Sequence, residues 1–130
     1  MKSIHLKKIF LLDGFGAMLS AFILGIVLVK LESIFGIPKI SLYFLASLPF
    51  LFAVYDLYVY FNINENLEKY LKVIAIFNII YCCISIGIAF YNFQLLTAFG
   101  WIYILIEVLI IAFIAKMEFN AVSNFRKNLL

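Results

Sequence analysis

Four long apolar segments, separated by short polar breaks, dominate the pattern of this chain. They cover residues 9–31, 40–61, 71–91 and 98–115. A helix needs about 20 apolar residues to cross the hydrocarbon core of a bilayer. Only helices and closed barrels satisfy their backbone inside hydrocarbon, and these segments are too long and too evenly apolar for barrel strands. The pattern predicts an all-α, integral membrane four-helix bundle that forms a single transmembrane domain over residues 1–130.

The composition supports a membrane environment. The chain is 67% hydrophobic and 13% charged, whereas soluble domains are about 45–50% apolar. The lipid bilayer is therefore the first expected partner. The basic residues flank the apolar segments and form no stripe, so we expect no binding to nucleic acid.

The basic residues are distributed unevenly between the two sides that four alternating spans would define. Eight lie on the side of the two termini and the second loop, and two lie on the other side. Because short cytoplasmic loops are enriched in lysine and arginine, we expect a multi-pass protein of the cell (inner) membrane with both termini in the cytoplasm. The eight are Lys2, Lys7, Lys8, Lys69, Lys72, Lys116, Arg126 and Lys127, and the two are Lys30 and Lys39.

Three acidic residues interrupt the apolar segments: Asp13, Asp56 and Glu107. No lysine, arginine or histidine lies in mid-segment to neutralise them. An ionisable group within a membrane span is costly and is by default a candidate functional site. These acids are therefore candidates for binding a proton or a cation, and Glu107 is the first candidate because it lies deepest. The alternative is structural: a neutral acid would donate a hydrogen bond and fix the register between helices.

Each segment carries its polar or small residues on one helical face. Spacings of three and four residues place side chains on the same face. Lipid tails are as apolar as leucine, so helices in a bilayer associate through small and polar residues. We expect the polar faces to meet inside the bundle. The stripes are Asp13, Ala17 and Ser20 with the small-residue ladder Ala17, Ala21 and Gly25; Pro49, Ala53, Asp56 and Tyr60; Asn78, Cys82 and Ser85; and Gly100, Tyr103, Glu107, Ile111, Ile114 and Glu118.

The polar residues on these faces are candidates for lining an interior site. We expect the lining to consist of Asn78, Tyr103, Ser85, Tyr81 and Tyr60. Signatures of catalysis are lacking: there is no Ser/His/Asp set, no H-E-x-x-H and no phosphate-binding glycine loop. The adjacent cysteines, Cys82 and Cys83, fit neither a redox pair nor a zinc site. We expect no metal and no cofactor, and a role without catalysis is favoured.

Two runs carry a resemblance to other proteins. LLDGFGAMLSAFILGIVLVKLESIFGIP over residues 11–38 and LYFLASLPFLFAVYD over residues 42–56 are similar to an uncharacterised group of small four-span bacterial membrane proteins. The resemblance covers most of the chain and implies four spans. The group has no known activity, so the resemblance implies no function.

Three hypotheses about function follow from these features. The first is a proton- or cation-coupled transporter or channel component, assembled as a homo-oligomer because four helices enclose little volume; it predicts a hydrated cavity that reaches Glu107. The second is a non-catalytic interaction subunit of a larger membrane complex, which predicts a tightly packed bundle with an exposed groove of small residues. The third is a membrane enzyme acting on a lipid or quinone, which predicts an apolar cleft open to lipid with polar groups at its end.

Overall fold

The computed structural model describes the backbone of residues 2–129 and the side chains of residues 6–125. All regular structure in this part of the chain is helical, which confirms the predicted all-α fold. Four stretches are long and apolar enough to cross a membrane: Leu6–Lys30, Lys39–Asn62, Leu67–Tyr91 and Ala98–Phe125. The helices are α1 (Lys2–Phe22), a π-helical segment (Ile23–Val27), α2 (Leu28–Lys30), α3 (Glu32–Phe35), α4 (Lys39–Asn62), α5 (Leu67–Tyr91) and α6 (Ala98–Leu129).

The last helix continues well past residue 115, where the sequence pattern places the end of the fourth span. It is unbroken from Ala98 to Leu129. Lys116 does not end the helix. Its long basic side chain is exposed and reaches outward while the backbone stays helical. Two residues later, Glu118 is completely buried in the bundle. The longer helix therefore adds an interior acid to those that the sequence analysis selected.

The bundle consists of two antiparallel hairpins. Helix α1 packs along α4, and α5 packs along α6, whereas α1 and α6 lie side by side with much less contact. A Cβ added to Gly14 would lie 3.3 Å from the Cβ of Asp56, and one added to Gly25 would lie 3.3 Å from the Cβ of Ala46. Small residues thus let α1 approach α4 closely, as expected for helices in lipid.

Two apolar clusters hold the hairpins together, one at each end of the bundle. The end that contains the terminal segments and the loop of residues 63–66 is called the terminal end, and the other is called the distal end. The terminal cluster comprises Leu6, Ile9, Phe10, Val59, Leu67, Leu71, Ile74 and Val122. The distal cluster comprises Leu24, Leu28, Ile37, Leu42, Leu45, Tyr81, Ala89, Leu96 and Ile104.

The distal loops make backbone contacts that only glycine permits. A Cβ on Gly100 would lie 2.2 Å from the carbonyl oxygen of Phe35. Gly36 has a φ of +75°, and a Cβ there would lie 2.1 Å from the carbonyl oxygen of Leu95. The backbone N–H of Thr97 donates to the carbonyl of Phe35 over 3.2 Å. These contacts join the first hairpin to the second at the distal end, while the middle of the bundle is joined by polar groups.

Candidate functional site

Three carboxyl groups and one amide meet between the hairpins. Asp13 comes from α1, Asp56 from α4, Asn78 from α5 and Glu118 from α6, so every long helix contributes one residue. Asp56 and Glu118 are 0% exposed, and Asp13 is 7% exposed. The carboxyl of Asp13 lies next to those of both Asp56 and Glu118. These four residues are called the acid layer.

The acid layer has fewer hydrogen-bond donors than its oxygens can accept. The amide nitrogen Nδ2 of Asn78 donates to Oδ1 of Asp13 over 3.2 Å and to Oε1 of Glu118 over 2.8 Å. Four buried oxygens have no partner among the described residues: Oδ2 of Asp13, both oxygens of Asp56, and Oε2 of Glu118. An ionised carboxylate only accepts, whereas a protonated one also donates. Contacts between these carboxyl groups therefore require protons on the layer.

The side chains described in the structure provide no buried cation for the layer. Lys7 is half-buried and donates to Asn64 at the terminal end, and the other described lysines are exposed. Among the described residues, no group of three or more His, Cys, Asp or Glu has the arrangement to hold a metal ion. Repulsion between like charges is strong in a medium of low dielectric constant. Protonation of the carboxyl groups would remove this repulsion.

Glu107 lies in a separate cluster with a full set of donors. The hydroxyl of Tyr81 donates to Oε1 over 2.8 Å, and the hydroxyl of Tyr103 donates to Oε2 over 2.9 Å. The side chain of Ser20 of α1 also lies near this carboxyl. Glu107 and Glu118 are about 16 Å apart along α6 at 1.5 Å per residue. The carboxylate form of Glu107 therefore has a partner for each oxygen, in contrast to the acid layer.

A cavity of about 240 Å³ runs between α1 and α6, where the two helices pack loosely. It is called the lateral crevice. Its lining is mainly apolar, and at its rim Gly16, Leu19, Ile106 and Ile110 are exposed on the outer surface of the bundle. In a membrane this surface faces lipid. Its polar lining consists of Asp13, Ser20, Asn78, Tyr81, Tyr103 and Glu107. The crevice thus connects the bundle exterior with both Glu107 and the acid layer.

The structure brings together some of the acids that the sequence analysis grouped. Asp13 and Asp56 are in contact, and Asn78 bonds to the first of them. Glu107 stands apart, with Tyr81 and Tyr103 bonded to it. The acids on the polar faces therefore form two clusters inside the bundle, and the lateral crevice reaches both.

Two of the expected lining residues lie elsewhere. Tyr60 is half-buried against the terminal cluster, with its ring edge-on to that of Phe61 at a centroid distance of 5.0 Å. It shares a helical face with Asp56 but lies one turn nearer the terminal end, where apolar side chains fill the interior. Ser85 is completely buried, and its hydroxyl has no partner among the described residues. It is one turn beyond Tyr81 and outside the crevice lining.

Glu118 is the site residue that the sequence analysis did not select. It was on the polar stripe of the fourth segment, but the segment was ended at Ala115, before Lys116. The signal that identifies it is its spacing from Glu107: eleven residues make just over three full turns at 3.6 residues per turn, so both acids point into the bundle.

The chain matches no family model, no curated protein and no solved structure. The two clusters differ in their chemistry. The acid layer has unpartnered carboxyl oxygens that can take up protons, and the Glu107 cluster places an acid with satisfied oxygens at the inner side of an apolar crevice. An interior of this kind can hold protons and can bind a small molecule that enters from lipid.

Proposed function

We propose that the protein is a small proton-linked membrane carrier whose acid layer takes up and releases protons. The observation that supports this most strongly is the meeting of Asp13, Asp56 and Glu118, three buried carboxyls from three spans, with four unpartnered oxygens. A purely structural network would be expected to satisfy its buried polar atoms, because each unsatisfied one costs about 1–3 kcal/mol. A site that changes its number of bound protons has no single arrangement that satisfies all of them.

The location of the acid layer suggests how protons would act on the bundle. Asp13 and Asp56 belong to the first hairpin, and Asn78 and Glu118 belong to the second. Loss of a proton would create like charges on opposite sides of this contact, and uptake of a proton would restore a hydrogen bond across it. Protonation would therefore favour closely packed hairpins, and deprotonation would favour their separation, a two-state device of the kind that transporters use.

We also propose an orientation for the carrier in the cell membrane. Eight of the ten basic residues lie at the terminal end, and two lie at the distal end. By the positive-inside rule the terminal end is cytoplasmic. The acid layer is then closer to the cytoplasmic side, since Asp56 is only six residues from the end of α4 at Asn62. The limited interior of four helices favours a homo-oligomer as the transporting unit.

The alternative role as an interaction subunit is less well supported. It called for an exposed groove of small residues, whereas Gly14 and Gly25 are used in the close contact between α1 and α4. The alternative role as an enzyme acting on a lipid is favoured by one observation, the apolar crevice with a polar inner side. In that role Glu107 would act as a general base toward a bound lipid, and turnover of a lipid by the purified protein would distinguish it from a carrier.

The carrier role is tested by following the protons of the buried acids directly. We expect the infrared C=O band of protonated carboxyl groups to weaken reversibly as the pH of the reconstituted wild-type protein is raised from about 5 to about 11, because buried acids titrate several pH units away from exposed ones. Asp56→Asn should remove part of this change, and Ser85→Ala, which alters another buried polar residue without a partner, should leave it intact. A band that stays constant over this range would show permanently held protons and a structural role, contrary to the proposal.

A further inference from the structure

We propose that the lateral crevice binds a small primary alkylammonium ion that enters from the bilayer, with its charged head beside Glu107 and its tail toward the opening between α1 and α6. This inference names the substrate class of the proposed carrier and rests on that function for its physiological meaning. Binding in the crevice can be measured by itself, because the groups that hold the ligand belong to the Glu107 cluster and not to the acid layer.

The route into the crevice determines the apolar part of the ligand. Leu19 is 60% exposed, Ile106 52% and Ile110 54% on the outer flank of the bundle, and these side chains line the crevice together with Gly16. A molecule that enters here comes from the hydrocarbon of the bilayer. It must carry an apolar tail, because its route and most of the lining are apolar.

The inner side of the crevice determines the charge of the ligand. Glu107 is 7% exposed there, and no described lysine lies in the lining. A cation at this position would stabilise the carboxylate form of Glu107, because the attraction between opposite charges is stronger in a medium of low dielectric constant than in water. The aromatic rings of Phe52, Tyr81 and Tyr103 are also part of the lining, and the faces of such rings attract cations.

The hydrogen-bonding groups favour a primary ammonium over a quaternary one. Around the carboxyl of Glu107 lie the hydroxyl groups of Tyr81, Tyr103 and Ser20. A hydroxyl that donates its hydrogen still has lone pairs that accept. The –NH₃⁺ group has three N–H donors, which match this set of acceptors, whereas a trimethylammonium group has none to offer.

The size of the crevice limits the ligand to a small one. Its volume of about 240 Å³ is below the range of about 300–1,000 Å³ that is typical of pockets for drug-sized ligands. A cavity of about 150 Å³ already holds benzene. A linear amine with a short alkyl chain therefore fits, and hexylammonium is a suitable probe.

Binding of hexylammonium to the purified protein in maltoside micelles tests this inference. We expect saturable binding of hexylammonium, referred to its free aqueous concentration and corrected with empty micelles. The neutral analogue hexanol, which has the same tail, should bind at least about 10-fold more weakly, and benzyltrimethylammonium should also bind more weakly. From butylammonium to hexylammonium the affinity should rise about fourfold per methylene, because each buried CH₂ contributes about 0.8 kcal/mol.

Substitutions locate the ligand. Glu107→Gln should weaken hexylammonium binding at least about 10-fold and leave hexanol binding unchanged, and Ser85→Ala should bind both as the wild type does. Because Glu107→Gln could disturb folding, Tyr103→Phe is the second variant: it keeps the carboxyl, removes one hydroxyl and should cause a smaller loss. Thermal unfolding of each variant shows whether the fold persists. Equal affinity for hexylammonium and hexanol, or binding by folded Glu107→Gln that matches the wild type, would overturn the inference.

The same data separate this inference from the proposed function. If the carboxyl band titrates and hexylammonium does not bind, the ligand assignment fails and proton exchange stands. If hexylammonium binds as expected and the carboxyl band does not titrate, the crevice is a ligand site and the proton-linked role fails.

Discussion

Replacing Gly16 with tryptophan is expected to abolish hexylammonium binding while the bundle remains folded. Gly16 lines the lateral crevice, and no atom lies within 4 Å of a Cβ built at this position. An indole ring there would occupy the space at the opening without displacing the backbone of a neighbouring helix. We expect at least about a 100-fold loss of affinity, equivalent to about 2.7 kcal/mol, measured as for the wild type in maltoside micelles.

The matched control for this variant is Gly87→Trp. Gly87 is also exposed on a long helix, and a Cβ there also meets nothing within 4 Å, but it lies on α5 outside the crevice lining. Both variants replace a helical glycine with the same large residue, so changes in helix propensity and in detergent binding are shared. Binding by Gly16→Trp that equals binding by Gly87→Trp would mean that the ligand does not use this opening.

Replacing Asp56 with asparagine is expected to remove much of the pH dependence of folding stability. In the wild type, Asp56 is completely buried against Asp13 and neither of its oxygens has a described partner. The unfolded chain gives up the Asp56 proton more readily than a buried site that disfavours charge, so the free energy of unfolding should fall as the pH rises. Asparagine has a similar shape and cannot ionise, so the free energy of unfolding of the variant should fall less as the pH rises. At high pH the change in the wild type should exceed that in the variant by about 1–3 kcal/mol.

This difference is measured by unfolding the two proteins in micelles at about pH 5 and about pH 9, a range in which an aspartate of the unfolded chain is ionised. At the lower pH the wild type has its protons and the two proteins should be similar in stability. Ser85→Ala is the control, because it removes a buried, unpartnered hydroxyl that does not ionise. Parallel stability curves for wild type and Asp56→Asn would show that folding does not change how tightly Asp56 holds its proton, contrary to this account.

The hydrophobic pattern was sufficient to predict the fold class, because the need to satisfy the backbone in hydrocarbon leaves few alternatives to helices. It also predicted which faces turn inward: Asp13, Asp56, Asn78 and Glu107 are all buried. Each of these residues is buried because of its position on the polar face of its own helix. The inward face is set by local spacing, so it can be inferred from one segment at a time.

The pairing of residues between helices could not be predicted from the sequence in the same way. Which acids meet depends on the vertical offset of each helix, and that offset is set by contacts far apart in sequence, such as Gly25 against Ala46 and Gly100 against Phe35. The position at which α6 ends could not be predicted for a similar reason. A lysine at position 116 suggested the membrane surface, but exposure of its side chain allows the helix to continue and to bury Glu118.

The lateral crevice depends on the unequal packing of the four helices. Close contacts between α1 and α4 and between α5 and α6 leave the contact between α1 and α6 loose. The terminal and distal clusters join the hairpins at both ends, so the opening is confined to the middle of the bundle. No single segment of sequence carries this information, since the cavity exists only because α1 packs closely against α4 and loosely against α6.

The central claim is that a ligand in the crevice and protons on the acid layer influence one another. It is tested most directly by adding hexylammonium to the purified wild-type protein in weakly buffered micelles and recording the pH of the medium. A cation bound in the crevice, which Asp13 also lines, favours the charged form of the layer. Binding should therefore release protons, and by reciprocity the affinity should increase with pH. The account predicts that hexylammonium acidifies the medium at saturation and that hexanol does not; an unchanged pH on saturating binding of hexylammonium would contradict it.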